Sequence, residues 1–544
     1  MRGSLQTGPE TTEQQQEQLV QALLDPACYG HPVESVTVRE THISWVLLAG
    51  EFAYKLKKVV NFGFLDFSTL EQRRYYCGEE LRLNRRFAPD LYLDVIEITG
   101  SPEQPEISGS GAVLEYAVRM RRFPQAGLLS QVAENHQLDA ARVDEIVTLV
   151  ASIHAQADRK PADPEAGSPA DIRYWVDENF THIRHARLQP VQRLQVDELD
   201  NWCKGMFAAC SDFMQSRRQD GYVRECHGDL HLGNLALVNQ QITPFDCIEF
   251  NPRLRWIDVM SEIAFLVMDL HERGYPVLAY RFLNGYLQRS GDYAGLRLLN
   301  YYLVYRALVR AKVAVLRSAQ ADLDAAGRLA AREEFAAYLE LAVQYSRPRP
   351  RAVIITHGVS GSGKSWWSER LSGQLGAIRL RSDIERKRLF GYRPDATTDS
   401  GIDTGIYTAA AGVRTYERLA ELARQTIDAG FPVIVDAAFL KRAARDRFKD
   451  LAGKSGVPCI VLHCEASAGV LRTRLDQRQA RGSDPSEAGI EVLESQQVTL
   501  EPLHPDEFGH CSVVNVSPDT VYTELTARID ELTAGQCPDL SQAE

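Results

Sequence analysis

A glycine-rich segment that directly follows an apolar run is the feature that most constrains how this chain folds. Residues 352–356 read Ala-Val-Ile-Ile-Thr, and residues 358–365 read Gly-Val-Ser-Gly-Ser-Gly-Lys-Ser. The apolar run is typical of a buried strand, and the glycines allow a tight turn into a following helix. In this context the pattern predicts a P-loop, which binds phosphate groups through backbone N–H groups at a helix N-terminus.

The P-loop gives candidate roles to individual residues. Lys364 is expected to reach the β- and γ-phosphates of ATP, and Ser365 to offer its hydroxyl to a magnesium ion. The residues predicted to bind ATP here are Gly358, Ser360, Gly361, Ser362, Gly363, Lys364 and Ser365.

Apolar runs at 352–356, 432–436 and 459–463 alternate with helical stretches. This alternation predicts an α/β P-loop NTPase fold, a parallel sheet flanked by helices. Asp383 lies at the edge of the expected second strand, and Asp436 ends the run at 432–436. Both should face the ligand crevice at the carboxyl ends of the strands. Asp436 is a candidate metal ligand. Each aspartate could instead be a helix N-cap.

Arginines cluster on a predicted helix further along the chain, at 471–481. Planar guanidinium groups suit phosphate binding, so Arg474 and Arg478 are candidate ATP-binding residues on a lid. The alternative is an ordinary exposed helix.

A second set of candidate residues lies in the N-terminal half. Residues 227–234 read His-Gly-Asp-Leu-His-Leu-Gly-Asn, and residues 245–249 read Phe-Asp-Cys-Ile-Glu. Asp229 could accept the proton of an acceptor hydroxyl, and Asn234 and Asp246 could ligate the magnesium ions of Mg·ATP. The Asp-x-x-x-x-Asn spacing equals that of the kinase catalytic loop.

A lysine upstream completes this constellation. Lys55 lies on a predicted strand and suits the α- and β-phosphates of ATP, and Glu80 or its neighbour Glu79 could orient it. Lys57 and Lys58 are interpreted as a solvated strand end.

Other polar residues of this half have less specific interpretations. His231 is interpreted as a loop residue rather than a metal ligand. Arg306, Arg310 and Lys312 stand at near-helical spacing, either as an anion-binding stripe or as a solvated face.

The motif around His227, Asp229 and Asn234, together with Asp246, resembles the aminoglycoside phosphotransferase and choline-kinase-like branch of the protein-kinase fold, over residues 15–345. The resemblance implies a bilobal α+β fold in which His227 buttresses the catalytic loop. One departure is that no Gly-x-Gly-x-x-Gly separates the first two strands, where residues 40–43 read Glu-Thr-His-Ile.

The C-terminal half, residues 351–535, resembles small P-loop kinases related to polynucleotide kinase, gluconate kinase and the zeta toxins. The resemblance implies that Asp383 is a general base, that Arg386 binds an anionic group of the acceptor, and that Arg474 or Arg478 stabilises the transferring phosphoryl group. The whole chain resembles bacterial fusions of the two domain types, labelled AAA-family ATPases.

The predicted domain organisation is a disordered N-terminus at 1–14, a kinase-like domain at 15–345, a linker at 346–351, a P-loop domain at 352–535 and a flexible tail at 536–544. Two prolines in the linker cannot continue a helix, and 544 residues exceed one hydrophobic core.

Strands and helices are also predicted within the first domain. The strands are expected at 35–40, 43–48, 52–57, 92–98 and 112–120, with a loop at 100–111, and a capping box at 68–71 is expected to open a helix. Residues 130–219 and 258–345 are predicted to be mainly helical.

Composition excludes several classes of protein. The net charge of −12 argues against broad nucleic-acid binding. Ten scattered cysteines without a Cys-x-x-Cys pair indicate neither a zinc ribbon nor a disulfide framework, and favour a reducing cytoplasm. No apolar stretch approaches 18 residues, so no membrane span is predicted.

These patterns together predict a cytoplasmic, ATP- and Mg²⁺-dependent, bifunctional phosphotransferase that acts on small-molecule hydroxyls. The alternatives are a nucleic-acid 5′-hydroxyl kinase in the C-terminal half, and a regulatory or toxin-like fusion in which one nucleotide-binding domain gates the other. The acceptors, the coupling between the domains and the oligomeric state stay open.

Overall fold

The computed structural model describes residues 12–534 except 64, 321–322, 399, 401–403, 482–488, 508–511, 518–519 and 521, and except the side chains of 478–481 and 534. The predicted tail at 536–544 lies outside the described residues, as do residues 1–11. Helix α1 (Glu13–Ala22) begins within the segment predicted to be disordered. It begins there because Thr12 and Gln15 form a reciprocal capping box.

The described chain divides into two compact units. The first comprises Met1–Leu138, Ile153–Ile172 and Gln215–Glu262, and the second Asp139–Ser152, Arg173–Met214 and Ile263–Glu544. Helices upstream of the predicted linker therefore belong to the same unit as the P-loop. Among the described residues, no helix has both the length and the apolar character needed to cross a membrane.

A six-stranded antiparallel sheet forms the N-terminal part of the first unit, in the order β1-β2-β3-β6-β4-β5. Its elements are β1 (Val36–Glu40), β2 (Ser44–Ala49), β3 (Phe52–Lys57), α2 (Leu70–Asn84), β4 (Tyr92–Ser101), β5 (Gln104–Ile107) and β6 (Val113–Arg121). Helix α2 packs on the sheet through Cys77, which lies in one apolar cluster with Tyr92, Tyr116 and Val118.

The five predicted strands are confirmed, and two details differ. The predicted loop at 100–111 contains β5, which pairs with β4 across a tight turn. The capping box of α2 is formed by Thr69 and Gln72, one residue beyond the predicted box, because Thr69 has the extended backbone of an N-cap.

Helices and short strand pairs follow the sheet. Strand β7 pairs with β10, and β8 pairs with β9. The elements are α3 (Leu129–Glu134), α4 (Ala140–Gln156), α5 (Pro169–Arg184), α6 (Pro190–Gln219), β7 (Val223–Glu225), β8 (Leu235–Val238), β9 (Gln241–Pro244), α7 (Pro252–Arg255), β10 (Trp256–Asp258), α8 (Val259–Glu272), α9 (Pro276–Ser290), α10 (Leu296–Ser318) and α11 (Ala325–Ser346).

A parallel sheet of the order β12-β13-β11-β14-β15 forms the centre of the C-terminal half. Its core contains Ile354, Ile434 and Ile460, on three adjacent strands. The elements are β11 (Val353–His357), α12 (Lys364–Gln374), β12 (Ile378–Arg381), α13 (Ser382–Leu389), α14 (Ala409–Asp428), β13 (Val433–Asp436), α15 (Arg442–Lys454), β14 (Cys459–Cys464), α16 (Ala468–Arg481), α17 (Ile490–Thr499), β15 (Ser512–Val516) and α18 (Tyr522–Ala534). The predicted P-loop NTPase architecture is confirmed.

Helix α9 packs against the edge of this sheet within the second unit. The Asn284 carboxamide accepts the N–H of Arg379 at 2.7 Å and donates to the carbonyl of Ala377 at 3.0 Å. It thereby takes the place of a neighbouring strand along the edge strand β12. A Cβ atom at Gly376 would lie 2.9 Å from the Tyr280 ring, so this close approach requires glycine.

Candidate active sites

Two lysines of β3 converge on one buried glutamate. Lys55 and Lys57 are two residues apart and so point to the same face of the sheet. Each binds a different oxygen of Glu80 on α2, at 2.8 Å for Lys55 and 2.7 Å for Lys57. Burial would raise the pKa of Glu80, but the two ammonium groups hold that pKa below its usual range, so Glu80 stays charged.

The same lysines also bind the 245–249 segment. Lys55 pairs with Asp246, and Lys57 pairs with Glu249. Asp246 has a φ of 63°, an unusual left-handed conformation for a residue other than glycine, and its N–H donates to the Tyr92 hydroxyl at 3.0 Å. Backbone conformations of this kind cluster at functional sites.

The loop between β7 and β8 places Asp229 and Asn234 side by side. The Asn234 Nδ2 group donates to the carbonyl oxygen and to Oδ2 of Asp229, both at 2.9 Å. This leaves the Asn234 Oδ1 atom as the oxygen that can face a cation. With the carboxylate of Asp246, the candidate donor set consists of oxygens, as Mg²⁺ requires.

His227 links this loop to the segment before Asp246. Its Nε2 atom donates to the carbonyl of Phe245 at 2.9 Å, and its Nδ1 atom accepts the N–H of Asp229 at 3.4 Å. Burial lowers the pKa of His227, which agrees with a neutral ring that donates at one nitrogen and accepts at the other.

Glu262 on α8 forms hydrogen bonds to the start of the loop between β7 and β8. It accepts the N–H groups of His227 at 3.0 Å and Gly228 at 2.6 Å, and its carboxylate lies 3.1 Å from His154 Nε2. Burial would raise the pKa of Glu262, but His154 holds it at about 2. His154, Cys226 and Glu262 are close enough to hold a metal ion, yet burial keeps the Cys226 pKa well above its usual value and the thiol protonated. The cluster is therefore a support for the loop.

The structure settles the predicted partner of Lys55. Glu80 binds Lys55, whereas Glu79 pairs with Arg82 at 2.9 Å. The interpretation of Lys57 as a solvated strand end is wrong, because Lys57 is 1% exposed and lies between two carboxylates. The even spacing of Lys55 and Lys57 on one strand face was the signal for this second lysine.

Two further predicted interpretations concern His231 and the stripe on α10. His231 is a loop residue, since its Nδ1 atom accepts the N–H of Gly233 at 3.0 Å. The stripe on α10 is neither an anion site nor a solvated face. Arg306 is buried against the Phe265 ring, Arg310 pairs with Glu334, and Lys312 pairs with Glu178.

The P-loop connects β11 to α12 as predicted. Gly358, Gly361 and Gly363 have φ values of 142°, 82° and 101°, which side chains rarely adopt. A Cβ atom at Gly358 would lie 2.5 Å from the carbonyl of Cys464, so the loop requires glycine there. Lys364 is the first residue of α12 and donates to the carbonyl of Val359 within the loop at 2.7 Å.

Asp436 at the end of β13 lies next to the first turn of α12. The Ser365 hydroxyl donates to Asp436 Oδ1 at 3.3 Å, and Arg379 binds Oδ2 at 2.6 Å. Burial would raise the pKa of Asp436, but Arg379 and Arg381 lower it, so the carboxylate stays ionised. Ser365 and Asp436 thus form a hydroxyl–carboxylate pair that fits a divalent cation. Arg379 was not among the predicted site residues, because a lone arginine on a strand carries no motif.

Asp383 and Arg386 lie three residues apart on α13, which follows β12. Arg386 donates to the Thr415 hydroxyl at 3.4 Å, and its guanidinium lies 4.8 Å from the centre of the Tyr407 ring. Burial raises the pKa of Tyr416, and the charges of Arg386 and Asp383 act on it in opposite directions. The two predicted side chains therefore share one neighbourhood.

Two later helices contact the P-loop. On α16, Arg474 donates to the carbonyl of Gly361 at 3.1 Å. On α17, the Gln496 carboxamide oxygen accepts the N–H of Ser360 at 2.7 Å, a contact that no sequence signal indicated. Arg478 lies on α16, and its side chain is outside the described residues.

Comparison with known proteins covers both halves. A family model described as an AAA domain matches residues 353–503. An uncharacterised protein of Mycobacterium tuberculosis is 30% identical over 485 residues, which cover 88% of this chain and 94% of the relative. The chain belongs to the family of this mycobacterial protein. Because 485 residues exceed the length of either half, the fusion of the two halves is shared within the family.

Solved structures of kinases are similar to each half. An amicoumacin kinase bound to AMP-PNP, Ca²⁺ and its ligand is 13% identical, covering 60% of this chain and 93% of that one, with a TM-score of 0.39. A gluconokinase from Sinorhizobium meliloti is 24% identical, covering 35% of this chain and all of that one, with a TM-score of 0.23.

The folds of the two halves agree with the predicted resemblances. The N-terminal half has the antiparallel sheet, the helix and the Lys55–Glu80 ion pair of a protein-kinase-like fold. The C-terminal half is a P-loop domain of the AAA type. The predicted architecture, a protein-kinase-like fold followed by a P-loop domain, is therefore confirmed at the level of fold.

Proposed function

We propose that this protein is a bifunctional, ATP- and Mg²⁺-dependent phosphotransferase that acts on hydroxyl groups of small molecules. One observation carries the proposal. In each half, a lysine lies next to side-chain oxygens of the kind that bind Mg²⁺. In the first half Lys55 lies against Asp246, and the neighbouring Phe245 donates its N–H to the carbonyl of Asn234, which pairs with Asp229. In the second half Lys364 adjoins Ser365, which pairs with Asp436.

The first site suits transfer to a hydroxyl group. Lys55 would bind the α- and β-phosphates, Asn234 and Asp246 would hold Mg²⁺, and Asp229 would accept the hydroxyl proton. The Asp229 side chain is 36% exposed, so an acceptor can reach it. When bound, Mg²⁺ would neutralise the charge that develops on the transferred group.

At the second site the P-loop would bind ATP, Ser365 and Asp436 would hold Mg²⁺, and Asp383 would activate the acceptor hydroxyl. Arg474 lies at the loop, where it would contact the phosphates. Arg386 next to Asp383 implies an acceptor that carries an anionic group as well as a hydroxyl.

Nucleotide stoichiometry tests the two-site proposal. Titration calorimetry with Mg·AMP-PNP should give two equivalents per chain for the wild type. Lys364→Ala should give one, because the second site loses its lysine contact to the phosphates, and Lys55→Met should give one from the second site. Lys441→Ala, which removes an exposed lysine paired with Glu501, should retain two. A single equivalent in the wild type would show that the two-site proposal is wrong.

The acceptor is expected to emerge from a screen of metabolite extracts for the ATP-dependent gain of one phosphoryl group. At the second site, Arg386→Ala should raise the KM for that acceptor by about 10- to 100-fold, the value of a hydrogen bond to a charged group. Asp383→Ala should instead lower kcat by about 10² to 10⁴. Steady-state kinetics separate the two effects.

The control for this pair is Arg393→Ala, since Arg393 is an exposed arginine whose ion pair, within the described part of the chain, is the local one with Asp395. An uncharged acceptor, or an Arg386→Ala variant with the wild-type KM, would contradict the assignment of Arg386.

A further inference from the structure

Five charged groups form one continuous chain in the first site. In order they are Asp246, Lys55, Glu80, Lys57 and Glu249, and each is ion-paired with the next. Glu249 stands three residues after Asp246, so both ends of this chain of ion pairs return to the same segment. Of these five groups, the nucleotide-binding role of the site uses Lys55, Glu80 and Asp246 and leaves Lys57 and Glu249 without a function.

Lys57 is placed where it cannot be a second phosphate ligand. Its ammonium lies 4.9 Å from the centre of the Phe67 ring, and the residue is 1% exposed. Glu249 is 3% exposed. Burying two ionised side chains away from water costs free energy, and the cost is largest when a charge is left unpaired. The contacts of Lys57 and Glu249 are therefore internal to the protein, and they reach Glu80 through Lys57.

Lys55 has two carboxylate partners with different consequences. If Lys55 stays with Asp246, its ammonium occupies the carboxylate that Mg²⁺ needs. If it turns to Glu80, Asp246 is released to the metal. Lys57 binds the second oxygen of Glu80 at 2.7 Å and thereby holds the first oxygen towards Lys55. The charge of Glu80 is also maintained, since both lysines lower its pKa.

We propose that Lys57 and Glu249 are positioning residues that fix Glu80, so that Glu80 draws Lys55 away from Asp246 and leaves that carboxylate for the metal of Mg·ATP. The proposal rests on the nucleotide-binding function proposed for the first site. It predicts that the pair controls the Mg²⁺ requirement of nucleotide binding rather than the fold alone.

The test uses the full-length chain with Lys364→Ala, so that only the first site binds nucleotide. Mg²⁺ is titrated at a fixed AMP-PNP concentration, and binding is followed by calorimetry. The double variant Lys57→Met/Glu249→Gln removes the pair without leaving a buried unpaired charge. It should raise the Mg²⁺ midpoint by about 10-fold, one factor of ten for each 1.4 kcal/mol. Lys57→Arg, which keeps the charge, should restore a midpoint close to that of the parent.

The matched control is Lys58→Met, since Lys58 adjoins the same strand but pairs with the exposed Glu40. Thermal unfolding verifies that each variant is folded. A folded double variant with the parent midpoint would overturn the inference. If the double variant unfolds, the isosteric Glu249→Gln decides: an intermediate rise in the midpoint supports the inference, and an unchanged midpoint overturns it. Absence of binding in the Lys364→Ala parent overturns the first-site function and this inference together.

Discussion

Replacement of Asp229 by asparagine is expected to lower turnover at the first site by about 10² to 10⁴, the usual contribution of a general base. The affinity for Mg·ATP should change little, because Asp229 contacts Asn234 and His231 rather than Lys55. Phosphorylation of the acceptor found by the extract screen, measured in the Lys364→Ala background, checks the rate. Calorimetry of the same variant checks nucleotide affinity.

Two companion variants sharpen this result. Asp246→Asn should lose Mg·ATP affinity, since Asp246 is the proposed metal ligand next to Lys55. Asp220→Asn, which removes an exposed carboxylate at the end of α6, should behave as the wild type. Full turnover in Asp229→Asn would exclude Asp229 as the base.

Replacement of Asn284 by leucine is expected to destabilise the second unit strongly. The change leaves the N–H of Arg379 and the carbonyl of Ala377 buried without their side-chain partner. An unsatisfied buried polar group costs about 1–3 kcal/mol, and this substitution produces two of them. Differential scanning calorimetry of the full-length chain should show a lower unfolding temperature for the transition that includes the P-loop sheet.

Nucleotide affinity at the second site should fall in the same variant, because Arg379 also holds Asp436. Arg289→Leu changes an exposed residue of the same helix and serves as the control. Wild-type unfolding of Asn284→Leu would show that the carboxamide contributes nothing as a substitute strand.

The sequence predicted those parts of the protein in which local pattern and chemistry coincide. The P-loop was predictable because a buried strand, left-handed glycines and a lysine are adjacent in the chain. Asp229, Asn234 and Asp246 were recognisable because their spacing is set by two short loops. The strand-rich run at 35–57 predicted β1 to β3, and the structure confirms each of them.

Other contacts depend on residues that are far apart in the chain. Glu249 lies 192 residues from Lys57, and their pairing follows from the way α2 and the 245–249 segment meet at β3. Arg379 likewise depends on Asp436, which lies on the neighbouring strand and is 57 residues away in the chain. Strand β5 was hidden because its glycine, serine and proline neighbours are typical of a loop, whereas cross-strand pairing with β4 decides its conformation.

The packing of α9 on β12 also bears on how a protein of this kind can evolve. An uncovered edge strand is a template for pairing with other chains and promotes aggregation. Here helix α9, which covers the edge, is encoded upstream of the predicted linker, and the strand β12 that it protects is encoded downstream. A gene split at residues 346–351 would therefore release a P-loop half with an exposed edge. The two halves are inherited most safely as one reading frame, and recombination that exchanges either half must also supply a new cover for that edge.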